Sequence, residues 1–409
     1  MSSSRVLACT ASAALRTHVS AFCRARQLLP VGQSNVFCPP KAARAYLRLE
    51  KAGQTDVKTQ RARLDTQARR KFFGITREQK VLLLEVDVAE AIYQEFIANK
   101  DRKQYGAIIE QLMKKYNVTS EQISGLALVI FSVSDRAPAA ANFPPSPHKS
   151  NAALLLQGCA QLNDPLALKH LLTAVYLSTY TASPRSSAHT LASHVPRAAI
   201  PTYRTALASL TLAGQTDPEA LTLTGLFLER EAQPARARTC YERALAQPWI
   251  FAHAPHARHP MQHPVVPPWL ALGYLLSASP DAAARAQATA VFERGAREAD
   301  DPLACYEFAA RLPRDSAAWL RFMSKAAASG HGGAMLALAR FYRGVAAGEV
   351  QTGALRGALA WLLRWRKGAA ERLAAEWYVV AGRRGQEGAE EELAEWRGTG
   401  AGKVGGRAA

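Results

Sequence analysis

Four of the chain's ten histidines, His253, His256, His259 and His263, fall within eleven residues. Imidazoles at that density are the raw material of a transition-metal site. Pro255, Pro260 and Pro264 interleave with them, and no Cys or carboxylate joins the run. The expectation is therefore a solvated loop, with no metal ligand and no cofactor assigned. The six cysteines, at 9, 23, 38, 159, 240 and 305, form neither a CxxC pair nor any regular ligand spacing, so a disulfide framework is not expected and a reducing compartment is. No GxxxxGK[ST], HExxH or GxSxG stretch occurs, and no GxGxxG follows a strand. Phosphate cradling, zinc proteolysis and the hydrolase elbow lack their signatures, no catalytic residue is assigned, and the chain is expected not to be an enzyme.

Cations offer a second kind of chemistry. The chain has 51 Lys+Arg against 33 Asp+Glu, a net charge of +18 over 409 residues, and the first 80 residues hold 16 of the bases and four of the acids. The basicity is thus N-terminal. Residues 41–75 read as a basic arm or helix in which Lys58, Arg61, Arg69, Arg70 and Lys71 are candidate contacts for a partner or for RNA phosphates. The same run also suits an anionic membrane surface or a simply solvated arm. Near the C-terminus, Leu355 to Lys367 sets Trp361 and Trp365 beside Arg364, Arg366 and Lys367. These three cations are further candidate contacts, for unpaired bases or as a peripheral membrane contact. Trp and Leu at helical spacing equally describe a buried seam between helices.

Before Glu50 there is no acid at all, while Arg5, Arg16, Arg24 and Arg26 lie among Ser, Thr, Ala and Leu. This is the composition of a mitochondrial transit peptide, expected over 1–40 with the mature chain in the matrix or on the matrix face of the inner membrane; the alternative is a basic disordered tail on a cytosolic or nuclear protein. No transmembrane helix is predicted, because the longest apolar stretch, around Gly125 to Phe131, is about a dozen residues where a span takes about 20. The Asn117-Val-Thr119 sequon would be silent in the matrix.

The elements that carry these residues are helical. Hydrophobic residues make up 48% of the chain and aromatics only 8%, which excludes disorder and suits close-packed Ala/Leu helices. Thr76 with Gln79, and Thr119 with Gln122, have capping-box spacing ahead of apolar-periodic runs, and 76–135 is expected to be a small helical unit. Pro138, Pro144, Pro145 and Pro147 mark a linker over 136–150. From 151 to 397 an Asp-Pro helix start recurs at Asp164, Asp217 and Asp301: Asp accepts from the free amides of the first turn, and Pro fits the first helical position. Gly330-His331 and Gly385-Gln386 occupy equivalent places. Second helices follow with an aromatic and a closing small residue, at Tyr241, Phe292, Phe322 and Trp377-Tyr378.

On these residues the chain resembles tetratricopeptide-like repeats of the Sel-one-like kind, best over 301–396, in Trp319 to Gly344 and Ala374 to Trp396. The starts are separated by 53, 84, 29 and 55 residues, against about 34 in a regular array. Insertions are expected at 178–201 and 247–268, and a disordered tail from 398. The expected fold class is all-α, an irregular α-solenoid of helix-turn-helix repeats preceded by a small helical unit and a basic arm. The resemblance implies an adaptor or scaffold that binds protein partners on a concave surface, most plausibly in assembly or expression of an inner-membrane respiratory complex. The alternative is an RNA-binding factor of mitochondrial gene expression.

Overall fold

The computed structural model describes residues 57–398, apart from 103, 136–143, 181–182, 184–185, 213–216, 248–258, 350–358 and 360–367. The expected transit peptide, the Trp361/Trp365 segment and the C-terminal tail lie outside the described residues. Among those described there are 17 α-helices and no strand, and no helix is long and apolar enough to cross a membrane. The fold is all-α, and it proceeds by packing consecutive helices on one another. The chain divides into two compact units, with the division in sequence between Pro268 and Trp269.

The first unit holds α1 (Val57–Glu78), α2 (Val86–Asn99), α3 (Tyr105–Tyr116), α4 (Ser120–Phe131), α5 (His148–Gln161), α6 (Pro165–Ser178), α7 (Ser187–Ser193), α8 (Ala199–Leu212), α9 (Pro218–Arg230) and α10 (Pro234–Leu245). The second holds α11 (Pro268–Ser277), α12 (Ala282–Glu298), α13 (Pro302–Ala309), α14 (Ala317–Ala328), α15 (Gly332–Ala346), α16 (Ala369–Arg383) and α17 (Ala389–Gly398).

All three Asp-Pro dipeptides open helices. The Asp164 carboxylate accepts from the Ala167 amide at 2.8 Å, Asp217 from Glu219 at 2.9 Å, and Asp301 from both Leu303 and Ala304 at 2.9 Å. His331 caps α15 through Nδ1, which accepts from Ala334 at 3.1 Å. Just ahead of several caps the chain turns through a left-handed residue: Asn163 (φ 59°), Ala232 (φ 58°) and Gly330 (φ 96°). There the amide of the following residue reaches back to the helix just ended: Asp164 to Cys159, Gln233 to Leu228 and His331 to Ala326. That bond satisfies a carbonyl the helix end would otherwise leave unpaired.

Small residues then let the paired helices close. A methyl group on Gly225 of α9 would overlap the Tyr241 ring of α10, and one on Gly273 of α11 would overlap Phe292 of α12. Tyr241, Phe292, Phe322 and Tyr378 are all buried, as their recurrence in the sequence suggests. Three tyrosine hydroxyls tie neighbouring helices by donating to a glutamate: Tyr241 to Glu229 at 3.0 Å, Tyr274 to Glu307 at 3.1 Å and Tyr378 to Glu392 at 3.0 Å.

Several local expectations need correction. The Thr119/Gln122 capping box is present in both directions, but Thr76 opens nothing. It is buried near the end of α1, and its hydroxyl donates to the carbonyls of Phe72 at 2.9 Å and Phe73 at 3.2 Å. The next helix starts ten residues later, at Val86. A Thr whose hydroxyl can bond back into its own helix need not cap the following one. The expected arm–unit boundary at 75/76 falls inside α1. The expected linker reaches only to Pro147, since α5 starts at the buried His148. Contacts continue across it, because α5 packs on α3 and α4, and Asp164 also accepts from Ser120 at 2.7 Å and Ser124 at 2.8 Å. Insertion 178–201 carries α7, whose end is held by the Gln157 amide donating to the His194 carbonyl at 3.0 Å.

Candidate interaction face on helix α1

Helix α1 carries the candidate cations of the N-terminal arm, and its four-residue spacing decides their fate. Arg61, Asp65, Arg69, Phe73 and Thr76 fall on one stripe, and all five are buried. Arg61 donates to Asp65 through Nε at 3.1 Å and to Asp135 at 2.8 Å. Arg69 grips Glu90 of α2 through two bonds, one of them Nε to Oε2 at 2.8 Å, and its guanidinium lies 4.1 Å over the Tyr93 ring. Burial alone would raise the Glu90 carboxyl, but the bonds from Arg69 and Gln94 outweigh it and hold the group below the usual carboxylate range.

Arg69 also lies 3.0 Å from Nε2 of His148. A guanidinium only donates, so Nε2 accepts and Nδ1 carries the imidazole hydrogen. Nδ1 then donates to the Ser146 hydroxyl at 2.9 Å, and that hydroxyl donates to Asp65 at 3.1 Å. The chain of bonds returns to α1 at Asp65, giving a circuit of Arg69, His148, the half-buried Ser146 and Asp65 whose two ends are joined by the helix itself. Burial keeps His148 neutral by lowering its pKa. Asn151 extends the circuit by donating to Tyr93 Oη at 3.0 Å while accepting from Lys100 at 3.1 Å.

Arg61 and Arg69 are therefore turned inward, away from RNA or a partner: Arg69 holds α1 to α2 and α5, and Arg61 ties α1 to Asp135 in the segment after α4. Arg70 is exposed and pairs with Asp87 at 2.5 Å. Lys71 is exposed on the outer side with Arg63 and Lys80, and among the described residues no carboxylate pairs with any of these three. Lys58 lies on the first turn of α1, while Arg364, Arg366 and Lys367 lie outside the described residues.

The same outer side displays apolar groups. Val57, Leu64, Ile75, Leu83 and Leu212 are the exposed large apolar residues among those described, and four of the five lie on α1 or in the turn after it. Sequence reasoning missed this face because it counted charges. The signal was present: Val57, Leu64, Ala68, Lys71 and Ile75 keep to a separate stripe from Arg61, Asp65, Arg69 and Phe73.

The histidine run resolves differently from the solvated loop expected for it. His253 and His256 lie outside the described residues, while His259 and His263 are half-buried. The His263 ring stacks on the fully buried His170 of α6 at 4.4 Å and 4°, and its own backbone amide donates to His170 Nδ1 at 3.1 Å. His170 Nδ1 is thus an acceptor, leaving the ring hydrogen on Nε2. The shielded Nε2 atoms of His170 and His263 have no partner among the described residues. Burial lowers both rings, His263 to about 4. No group of three His, Cys, Asp or Glu among the described residues has metal-holding geometry.

Two other groups have the perturbed titration that catalysis uses. Burial raises Glu229 to about 7, yet its hydrogen bond from Tyr241 is the tie repeated at Glu307 and Glu392, which marks a packing role. Burial also pushes the Cys159 thiol up, away from the reactive thiolate. No protein-family model matches the chain, and no curated protein is significantly similar to it, so its function must be argued from what these surfaces can hold.

Proposed function

We propose that the chain is a non-catalytic helical-repeat adaptor of the mitochondrion, which holds protein partners during assembly or expression of an inner-membrane respiratory complex. The observation that carries this reading is the fate of the polar chemistry. The Arg61–Asp65–Arg69–Glu90–His148 circuit, the Tyr–Glu ties and the stacked histidines all face inward and join helix to helix, leaving outer helix faces as the working surface. Helical-repeat architectures bind through such extended surfaces. The acid-free, Arg-bearing N-terminus supports the compartment, and the resemblance of 301–396 to Sel-one-like repeats supports the adaptor role.

An RNA-binding factor of organellar gene expression is the competing reading. It loses two of its candidate arginines to buried ion pairs. Affinity purification of the tagged protein from mitochondria, with protein and RNA both identified, tests the pair. Recovery of a defined set of proteins in RNase-treated samples is the expected result. Recovery of RNA alone, with binding that weakens steeply as salt rises, would overturn it. Fractionation that finds the protein outside mitochondria would remove the compartment.

A further inference from the structure

We infer that the outer face of α1 is a docking seam for an acidic amphipathic helix of a partner protein. This deepens the adaptor reading and rests on it. Val57, Leu64, Ala68, Lys71 and Ile75 follow one another at steps of seven, four, three and four residues, the average period of about 3.5 that keeps a stripe facing a second helix. The stripe runs about 27 Å at 1.5 Å per residue. Val57 is 51% exposed, Leu64 39% and Ile75 40%, and Gly74 next to the stripe faces open space. Large apolar side chains concentrate here rather than scattering over the surface, which is how interaction sites differ from ordinary exposure.

Width and charge select the occupant. A helix that lies in a membrane interface presents a broad face of strong hydrophobics. The α1 stripe is one side chain wide and contains Ala68 and Lys71, so it fits the ridge of another helix better than a lipid surface. RNA would need an unbroken row of cations, whereas the free ones here are interrupted by Leu64 and Ile75, and Arg61 and Arg69 are turned inward. Lys71 remains unpaired within the stripe and Arg63 unpaired to one side of it, Lys80 lies just past its end, and Glu78 is the one exposed acid of the described helix. That rim complements a helix with an apolar seam flanked by Asp and Glu, the arrangement in which flanking charges set partner choice.

The test uses the full tagged chain in mitochondria with Leu64→p-benzoylphenylalanine, a photo-crosslinker, and separately with Ile75→p-benzoylphenylalanine. Leu212→p-benzoylphenylalanine serves as the control, being 78% exposed and on α8, apart in sequence from the α1 stripe. The expected adduct, sequenced by mass spectrometry, is a peptide of another protein with an apolar helical seam and flanking acids, formed from positions 64 and 75 and not from 212. Adding Arg63→Glu and Lys71→Glu should cut its yield at least about tenfold, with the thermal melt unchanged.

An adduct to residues 1–56 of the same chain, to a second copy, to RNA or to lipid would overturn the inference. So would the same adduct from position 212, or a yield indifferent to the two charge reversals. The adaptor reading fails separately. If purification recovers specific proteins but positions 64 and 75 capture none of them, only the docking face is wrong; if it recovers no protein, both are.

Discussion

The seam between α1, α2 and α5 and the seam within the α9–α10 hairpin solve the same problem with opposite materials. The first joins helices with charge: two buried arginines, two buried acids and a neutral histidine. The second joins them with shape, a glycine beneath a tyrosine ring and one hydroxyl–carboxyl tie. A buried ion pair fails badly when one member is lost, since the other stays behind as an uncompensated charge. A shape-matched seam fails by crowding, and the surrounding chain can relax against it. The polar seam should therefore be brittle and the hairpin seam compliant.

The largest expected effect follows from that difference. Arg69→Met strands Glu90, and urea unfolding should show a loss of about 3–5 kcal/mol. Arg69→Met with Glu90→Leu should recover most of it, because the two changes remove the charges together. Equal losses for the single and the double variant would show that the seam depends on volume, not on pairing.

Next in size is acid sensitivity at the stacked histidines. His263 has a folded pKa depressed to about 4 against about 6.5 unfolded, so the unfolded chain takes up the proton first and stability falls as pH drops from about 6.5 towards 4. His263→Phe should flatten that decline by no more than about 3 kcal/mol. Glu229 works in the opposite sense: its raised pKa favours the fold below the ordinary carboxyl range, an advantage lost as pH rises to about 7. The comparison is therefore between wild type and variant at each pH, not along one curve.

Gly225→Ala pushes a methyl group into the Tyr241 ring and should cost about 1–3 kcal/mol. Adding Tyr241→Leu should return part of that loss, a recovery measurable by a double-mutant cycle. The smallest effect has the other sign. Ala232 sits at φ 58°, where a Cβ is unfavourable, so Ala232→Gly should raise the melting temperature, with a gain of about 0.5–1 kcal/mol.

The two seams also differ in how far the sequence discloses them. Asp164, Asp217 and Asp301 act within two or three residues of themselves, and local chemistry of that kind can be read from a string. So can the aromatic and small-residue pattern at Tyr241 and Phe292, since the helical period places it. The partners of Arg61 and Arg69 cannot be read that way. Glu90, Asp135 and His148 are 21, 74 and 79 residues away from them, and only the fold brings them in. Thr76 misled for a related reason: a capping box and a back-bonded helical Thr share the same four letters, and Phe72 decides between them. The outer face of α1 was legible in its 3.5-residue spacing, of which net charge picked out only Lys71.

The left-handed turns at Asn163, Ala232 and Gly330 bear on how the chain folds. Each hairpin closes its own helix end with a bond spanning five residues, so a pair can form before anything distant is in place. Chains dominated by such short-range contacts fold quickly and can start at more than one point. Because these turns terminate their own polar groups, extra residues can be inserted after such a hairpin without unpicking the one before. The uneven spacing of the helix starts is then what a modular chain can tolerate, not a sign of a decayed one.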